Sequence, residues 1–192
     1  MKSRSYYYIC IHLFSPSLGT IEDCPFNDLP DDQVFDELSY DILDSVLEDI
    51  RDCGEKVLFI MDDVVNDMKK EARLEKLLCK VLMNRRHQCG SGGSLSVWIT
   101  TQVYNKVPAP VRKCASQLVL YETKNRMELD CIFNEVIVGM NKSEWYQLIN
   151  YVWDKRFQFI YIDTTKPFSK MYHKCFNPLE LTTQEQDALK TT

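Results

Sequence analysis

The run Val57-Leu58-Phe59-Ile60-Met61-Asp62-Asp63 constrains the fold more than any other stretch of the chain. Five apolar residues stand in a row and two carboxylates come directly after them. An unbroken apolar run of this length predicts a strand buried on both faces, the kind found in parallel sheets. Open α/β sheets take their ligands outside the carboxyl ends of their strands. Asp62 and Asp63 therefore fall where site chemistry is expected. Paired acids at such a lip can hold the hydration shell of a divalent cation and orient an attacking water. The plainer alternative is a buried strand that ends in a turn, where Asp is common for its side-chain bonds to the backbone.

The 192 residues are enough for one domain with a full core. Hydrophobic residues make up 45% and charged residues 27%, the balance of a globular protein rather than of a disordered or membrane-spanning one. The longest apolar run near the start, Tyr6 to Phe14, carries His12 and is too short for a bilayer. Ser15-Pro16-Ser17 and the acids after it give no secretory cleavage pattern. Eight cysteines (Cys10, Cys24, Cys53, Cys79, Cys89, Cys114, Cys131, Cys175) are scattered and never form C-x-x-C. That spacing argues against a zinc site or a disulfide scaffold and for reduced thiols in a cytosolic chain. Charge is uneven: residues 20–52 hold twelve acids against Arg51, so a total of −5 leaves the remainder at about +6. The basic remainder is compatible with a polyanionic partner, and a solvated acidic helix face accounts for the first block.

Along the chain, Tyr6 to Phe14 predicts a strand ended by Ser15-Pro16, and a loop runs through Pro25 and Pro30. Val34, Leu38 and Ile42, widened by Phe35, Leu43, Val46, Leu47 and Ile50, predict a helix capped by Asp31 or Asp32 and stopped at Gly54. A second amphipathic helix is expected over 67–83, then the flexible Gly90-Ser91-Gly92-Gly93 and a strand, Leu95 to Thr100. Further strands are expected at Gln117–Tyr121 and Phe157–Ile162. Helices are expected at Arg126–Val136 and at Ser143–Trp153, the latter with Ser143 as N-cap. Strand and helix alternate throughout, which predicts a parallel α/β sheet. A polar tail starts at Thr182.

Several of these pieces fall in a specific order. An apolar strand ending in two acids leads through a helix into Asn84-Arg85-Arg86-His87. A second strand ends in Thr100-Thr101-Gln102, and Tyr104, Pro108 and Val111-Arg112 come after it. Phe159-Ile160-Tyr161-Ile162-Asp163 comes later. The order resembles the poxvirus-type genome-packaging ATPases of large eukaryotic DNA viruses and their relatives in virophages and Polinton-like elements. Those proteins belong to the FtsK–HerA division of P-loop NTPases. The resemblance covers residues 6–177 and is strongest over 57–112.

The resemblance implies an α/β, RecA-like, mainly parallel sheet with flanking helices, occupying residues 1–178, with 179–192 as a polar C-terminal tail. It implies ATP and Mg²⁺ as cofactors, and a homo-oligomeric ring that drives double-stranded DNA into a capsid alongside capsid or portal proteins. The setting would be the host cytoplasm or a virus factory, in association with virions and without a membrane. Carried over by position, Asp62 is the Walker B acid at the metal and Asp63 the catalytic acid. Gln102 is the polar sensor of the γ-phosphate. Arg85 or Arg86 is the arginine given to a neighbour's nucleotide, with Arg112 a second candidate. Such an arginine sets a permanent cation against the charge that spreads over the γ-phosphoryl oxygens. Read by themselves, Gln102 can cap a strand end and Arg85 and Arg86 can be cations at a helix C-terminus.

One part of the family pattern is missing. The chain contains no G-x-x-x-x-G-K-[ST], and none of its six glycines is followed by lysine. Gly90-Ser91-Gly92-Gly93 lacks the lysine and precedes a strand rather than a helix. The first strand and P-loop of the family are thus expected to be absent, and with them most of the groups that hold the β- and γ-phosphates. Two readings are open: a packaging ATPase lacking that segment, or a non-hydrolysing relative that serves as a ring subunit or as a DNA- or protein-binding module. The surviving trio of Asp62, Asp63 and Gln102 favours the first. A nucleic-acid-binding protein with no NTPase history leaves the trio unexplained.

Overall fold

The computed structural model describes residues 10–18 and 25–181. Its chain divides at Cys114–Ala115 into two compact units. In the first unit, β1 (Cys10–Phe14), β2 (Val34–Phe35), β3 (Lys56–Asp62) and β4 (Ser94–Thr100) pair in parallel in the order β2-β1-β3-β4. β3 lies inside this sheet, and Val57 through Met61 are all buried. That is why both parities of the run must be apolar: each such side chain gains about 1.5–3 kcal/mol by leaving water.

The two faces of the sheet are covered differently. Val57, Phe59 and Met61 join Phe14 and Leu95 in the main core, under three helices. These are α1 (Tyr40–Asp49), α3 (Ala72–Asn84) and the single turn α4 (Ala109–Arg112), with a short α2 (Val65–Met68) at the edge of the same core. On the other face Leu13, Leu58 and Ile60 form a small cluster covered by Leu18, Phe26 and Leu29. Trp98, opposite Ile60 in register, continues that face onto β4, where it is 56% exposed. Among the described residues β4 is the outer strand of its sheet.

Two helix expectations need correction. The first helix begins at Tyr40, not near Asp32, with the Ser39 hydroxyl accepting the Ile42 N–H. Asp31–Gln33 is a 3₁₀ turn, and Val34–Phe35 is a strand. Pairing satisfies the open backbone edge of β1, and Phe35 stacks on Phe14 at 5.0 Å between ring centroids. Those gains outweigh the helical spacing of Val34, Leu38 and Ile42. The helix expected over 67–83 is two helices broken at Lys69–Glu71. The buried Asp67, within α2, accepts the Leu38 N–H (3.2 Å) and pairs with Lys70 (2.7 Å). It thereby ties α2 to the segment before α1.

The second unit departs further from expectation. β5 (Gln117–Tyr121), β6 (Phe159–Asp163), β7 (Tyr172–Lys174) and β8 (Asn177–Pro178) are all antiparallel. The parallel pairing expected for the whole chain therefore holds for the first sheet only. Short hairpin connections between β6, β7 and β8 leave no room for the crossovers that parallel strands need. Helices α5 (Arg126–Val136) and α6 (Lys142–Val152) supply Leu129, Ile132, Trp145, Ile149 and Val152 to the buried set, together with Ile160, Ile162 and Tyr172 of the sheet. The α6 N-cap is Asn141 rather than Ser143, because Asn141 and Glu144 form a reciprocal capping box. The opposite parity of the sheet carries Tyr121, Phe159, Tyr161 and His173, which with Phe176 form ring contacts of 5.1–5.7 Å. The start of the first expected strand, Tyr6–Ile9, and the tail from Thr182 lie outside the described residues. Among the described residues, no helix is long and apolar enough to cross a membrane.

Candidate functional site

The carboxyl ends of β1, β3 and β4 meet in one row of polar side chains. Asp62 ends β3 in register with Thr100, and Ser15 comes just after β1 at the position whose parity matches them. Both oxygens of the Asp62 carboxylate are engaged. Oδ2 accepts from the Ser15 hydroxyl at 3.1 Å, and Oδ1 accepts a short bond from the Thr100 hydroxyl. Ser15 is only 2% exposed and has Ser17 Oγ at 3.2 Å as its other neighbour. The row is therefore anchored on the buried side and opens to solvent at Thr100.

Asp63 stands one step beyond. Its φ of 52° is left-handed, a conformation that Asp tolerates better than most residues. The backbone turns out of the β3 pleat there, and the exposed carboxylate leaves the sheet plane. Two bonds from β4's end hold the turn: the Asp63 N–H donates to the Thr100 carbonyl at 3.3 Å, and Gln102 Nε2 donates to Asp63 Oδ2 at 3.4 Å. Gln102 is itself carried on a small turn in which the Val103 N–H donates to Thr101 Oγ1 (3.1 Å) and that hydroxyl donates back to the Val103 carbonyl (3.2 Å). Strained φ values and convergent carboxylates of this kind are common where a site must be pre-positioned.

Asp62, Asp63 and Gln102 thus share one sheet edge. Arg85 and Arg86 do not. Arg85 and Arg86 lie in the 3₁₀ turn Arg85–His87, after α3 and before β4, at the amino edge of the sheet. Arg85 is half-buried and donates to the Leu82 carbonyl at 3.0 Å, while Arg86 is exposed. Arg112 ends α4 and folds back on its own loop. Its guanidinium donates to the carbonyls of Val107 and Asn105 and lies 5.2 Å from the Tyr104 ring. That is a loop clamp.

Nothing local in the sequence marks Ser15, and Thr100 is marked only as part of a strand end. The Ser15-Pro16-Ser17 run reads as a strand terminator. The signal that could have found Ser15 is parity: it is two residues beyond Leu13, so it shares a face with Asp62 once β1 and β3 pair in parallel.

The arrangement suits magnesium chemistry in a limited way. Asp62, Ser15, Thr100 and Asp63 are hard oxygen donors, and Mg²⁺ keeps most of its waters and takes one or two carboxylates plus substrate phosphates. Among the described residues no group of three or more His, Cys, Asp or Glu could hold a metal unaided. Asp62 and Asp63 are the two carboxylates that a hydrated divalent ion of this kind would take. In the second unit a polar cleft is lined by Arg126, Asp130, Lys142 and Tyr146. It is closed by a Lys142–Asp130 pair at 2.8 Å and by Tyr146 donating to Asp130 at 2.9 Å. The Lys142 bond holds the Asp130 carboxyl below its ordinary range. This cleft is a junction of α5 and α6 and contains no residue of the carboxylate row.

No protein-family model matches the chain, and no curated protein does. Among solved structures, the chain is similar to the genome packaging NTPase B204 from Sulfolobus turreted icosahedral virus 2, determined in complex with ATP-gammaS. The TM-score is 0.55 at 14% identity, over 88% of this chain and 82% of that one. Likeness at this identity is likeness of fold.

Proposed function

We propose that this chain is the core of a viral genome-packaging ATPase of the FtsK–HerA division of P-loop NTPases, spanning residues 1–178 with a polar tail beyond. Asp62 is the Walker B acid that faces the hydrated magnesium of MgATP, steadied by Ser15 and Thr100. Asp63 polarises the attacking water, and Gln102 reports the state of the γ-phosphate to it. Arg86, with Arg85 beside it, serves the nucleotide of an adjacent subunit in a homo-oligomeric ring. Its place at the sheet edge away from its own Asp63 is what a contribution in trans requires. Arg112 is the weaker choice because its guanidinium is spent on its own loop. Double-stranded DNA is the substrate moved, with capsid or portal proteins as partners in the host cytoplasm or virus factory.

The observation that carries the reading is the convergence of Asp62, Asp63 and Gln102 at the carboxyl edge of adjacent parallel strands, beside β4. Among the described residues β4 is the outer strand of its sheet, next to that edge and flanked by the exposed Trp98. A strand carrying G-x-x-x-x-G-K-[ST] would pair there, its loop facing Asp62 and its helix over Trp98. The likeness in fold to B204 supports the same reading.

A second reading has its own support. No glycine in the 192 residues is followed by lysine, so these residues carry no P-loop of their own, as a non-hydrolysing ring subunit or a DNA- or protein-binding module would not. Calorimetry with MgATPγS separates the two. The chain alone is expected to bind weakly. The chain joined on its amino side to a strand–P-loop–helix segment is expected to bind at least tenfold more tightly, with the gain lost on Asp62→Ala. Equal affinity with and without the segment would support the second reading.

A further inference from the structure

One face of the second unit's sheet is aromatic where water would favour polar side chains. An antiparallel sheet with one face toward solvent ordinarily alternates apolar-in with polar-out. The more buried parity of β5 and β6 is aliphatic: Leu118, Leu120, Ile160 and Ile162. The other parity carries Tyr121, Phe159 and Tyr161, continued by His173 of β7 and by Phe176 in the hairpin before β8. Ring contacts link these five in a chain: Tyr121–Phe159 at 5.3 Å, Phe159–Phe176 at 5.1 Å, Phe176–Tyr161 at 5.7 Å and Tyr161–His173 at 5.1 Å between centroids. All four contacts are tilted or edge-on, at 53–72° between ring planes, so they use ring edges and leave faces open. Tyr121 is 54% and Phe176 71% exposed.

A turn before β6 adds to the patch. The Gln158 N–H donates to the Lys155 carbonyl at 3.3 Å, which closes a turn over 155–158 with Phe157 in its third position. The Phe157 φ of 65° suits Gly or Asn at that place, and the residue is 75% exposed. Its backbone is strained and its ring gains little from burial; strain of this kind collects where a side chain serves a ligand. The Arg156 guanidinium lies 4.7 Å from the centroid of that ring, and Lys155 beside it is exposed. The adjacent acid, Asp154, is taken up by Lys174 at 2.8 Å, which leaves the turn positive. Tyr121, opposite Phe159 in register, is at the same end of the sheet. So is Phe176, whose neighbour Cys175 donates to the Phe159 carbonyl at 2.8 Å.

We infer that this face binds single-stranded nucleic acid: unpaired bases stack on Tyr121, Phe176 and Phe157, and Lys155 and Arg156 hold the phosphates between them. Every base has a π-face, so open aromatic rings take bases without regard to sequence, and the two cations complement a charged backbone as they would not an apolar partner. Bases in a duplex are already paired and stacked, so rings of this kind select single strands. The site belongs to the second unit and draws on no residue of the carboxylate row. It stands or falls apart from the ATPase reading.

The test is fluorescence anisotropy of labelled oligothymidylate and oligouridylate of about 15 nucleotides, titrated with the full chain at low salt beside a blunt duplex of the same length. At least one single strand should bind with a Kd of about 1–100 μM, and the duplex at least about tenfold more weakly. The tighter of the two single strands tells DNA from RNA. Tyr121→Ala and Phe176→Ala should each weaken binding at least about fivefold. Phe176→Leu keeps an apolar side chain at an exposed position and should weaken it as much, because stacking is lost and the fold is not. Lys155→Ala should lessen the slope of log affinity against log salt by about 0.7. Circular dichroism checks the fold of each variant. No binding of either single strand at about 100 μM protein, a duplex bound as tightly, an affinity indifferent to both alanine variants, or a dimer of the chain that Phe176→Leu dissociates would each overturn the inference.

Discussion

Replacing Ser15 by alanine tests the polar row at its buried end. Ser15 is 2% exposed, and its hydroxyl gives Asp62 Oδ2 a bond at 3.1 Å. A hydrogen bond to a charged group is worth roughly 1.5–3 kcal/mol when it is fully withdrawn from water. Asp62 is half-buried and keeps its Thr100 bond, so water recovers part of that loss. The expected cost is about 1 kcal/mol, or about 2–4 °C in melting temperature for a chain of this size. Urea unfolding monitored by circular dichroism gives the single values. The decisive quantity is the coupling in a cycle of Ser15→Ala, Asp62→Ala and the double variant, expected at about 0.5–1 kcal/mol. Ser45→Ala, on the exposed side of α1, serves as a control that should change stability by less than about 0.5 kcal/mol. Ser15 and Asp62 effects that add to within about 0.3 kcal/mol would refute the row.

Buried polar groups in the same unit give two more expected outcomes. His12 lies between Phe35 and Phe59, and burial holds its imidazole below the ordinary histidine range despite the opposing pull of Asp32 and Asp49. The unfolded chain therefore binds the proton more readily, so His12's contribution is complete above its unfolded value of about 6.5 and is lost as pH falls below it. Melting temperatures taken from pH 7.5 to 5 should fall, and His12→Phe should flatten that part of the decline; an unchanged slope would contradict the assignment. Asp67→Ala leaves the Leu38 N–H without its side-chain acceptor and should cost about 1.5–3 kcal/mol in urea unfolding. A cost below about 0.5 kcal/mol would mean that the break between α2 and α3 does not depend on Asp67.

The carboxylate site is legible because its signal is local. An apolar run such as Val57–Met61 can be buried on both faces only inside a sheet, so Asp62 and Asp63 must emerge at the carboxyl edge. Gln102 is legible in the same way from Leu95–Thr100. Ser15 is not, since its meaning depends on which residue of β3 lies beside β1, and register is a long-range fact. Val34–Phe35 misleads because four-residue spacing is helical in isolation, whereas β1 offers an open edge to pair. The antiparallel second sheet cannot be told from element order alone. Its strands do carry the distinguishing mark, for Gln117-Leu118-Val119-Leu120-Tyr121 and Phe159-Ile160-Tyr161-Ile162 present two unlike faces, where β3 presents two alike. The arginines can be named from the sequence, with Arg112 second, but the physical ground for that order is seen only in the folded loop, where Arg112 turns back on Val107 and Asn105.

The central claim is that Asp63 is the catalytic acid of an ATP-hydrolysing site completed by a neighbour's arginine, and steady-state ATP turnover tests it most directly. The protein to assay is the chain joined to a strand–P-loop–helix segment. Asp63→Asn and Arg86→Ala should each lower turnover by on the order of 10³ while MgATPγS binding stays within about threefold. An equimolar mixture of the two variants should regain part of the activity, since each supplies the group that the other lacks. Turnover that survives Asp63→Asn, or a mixture no more active than its parts, would contradict the account.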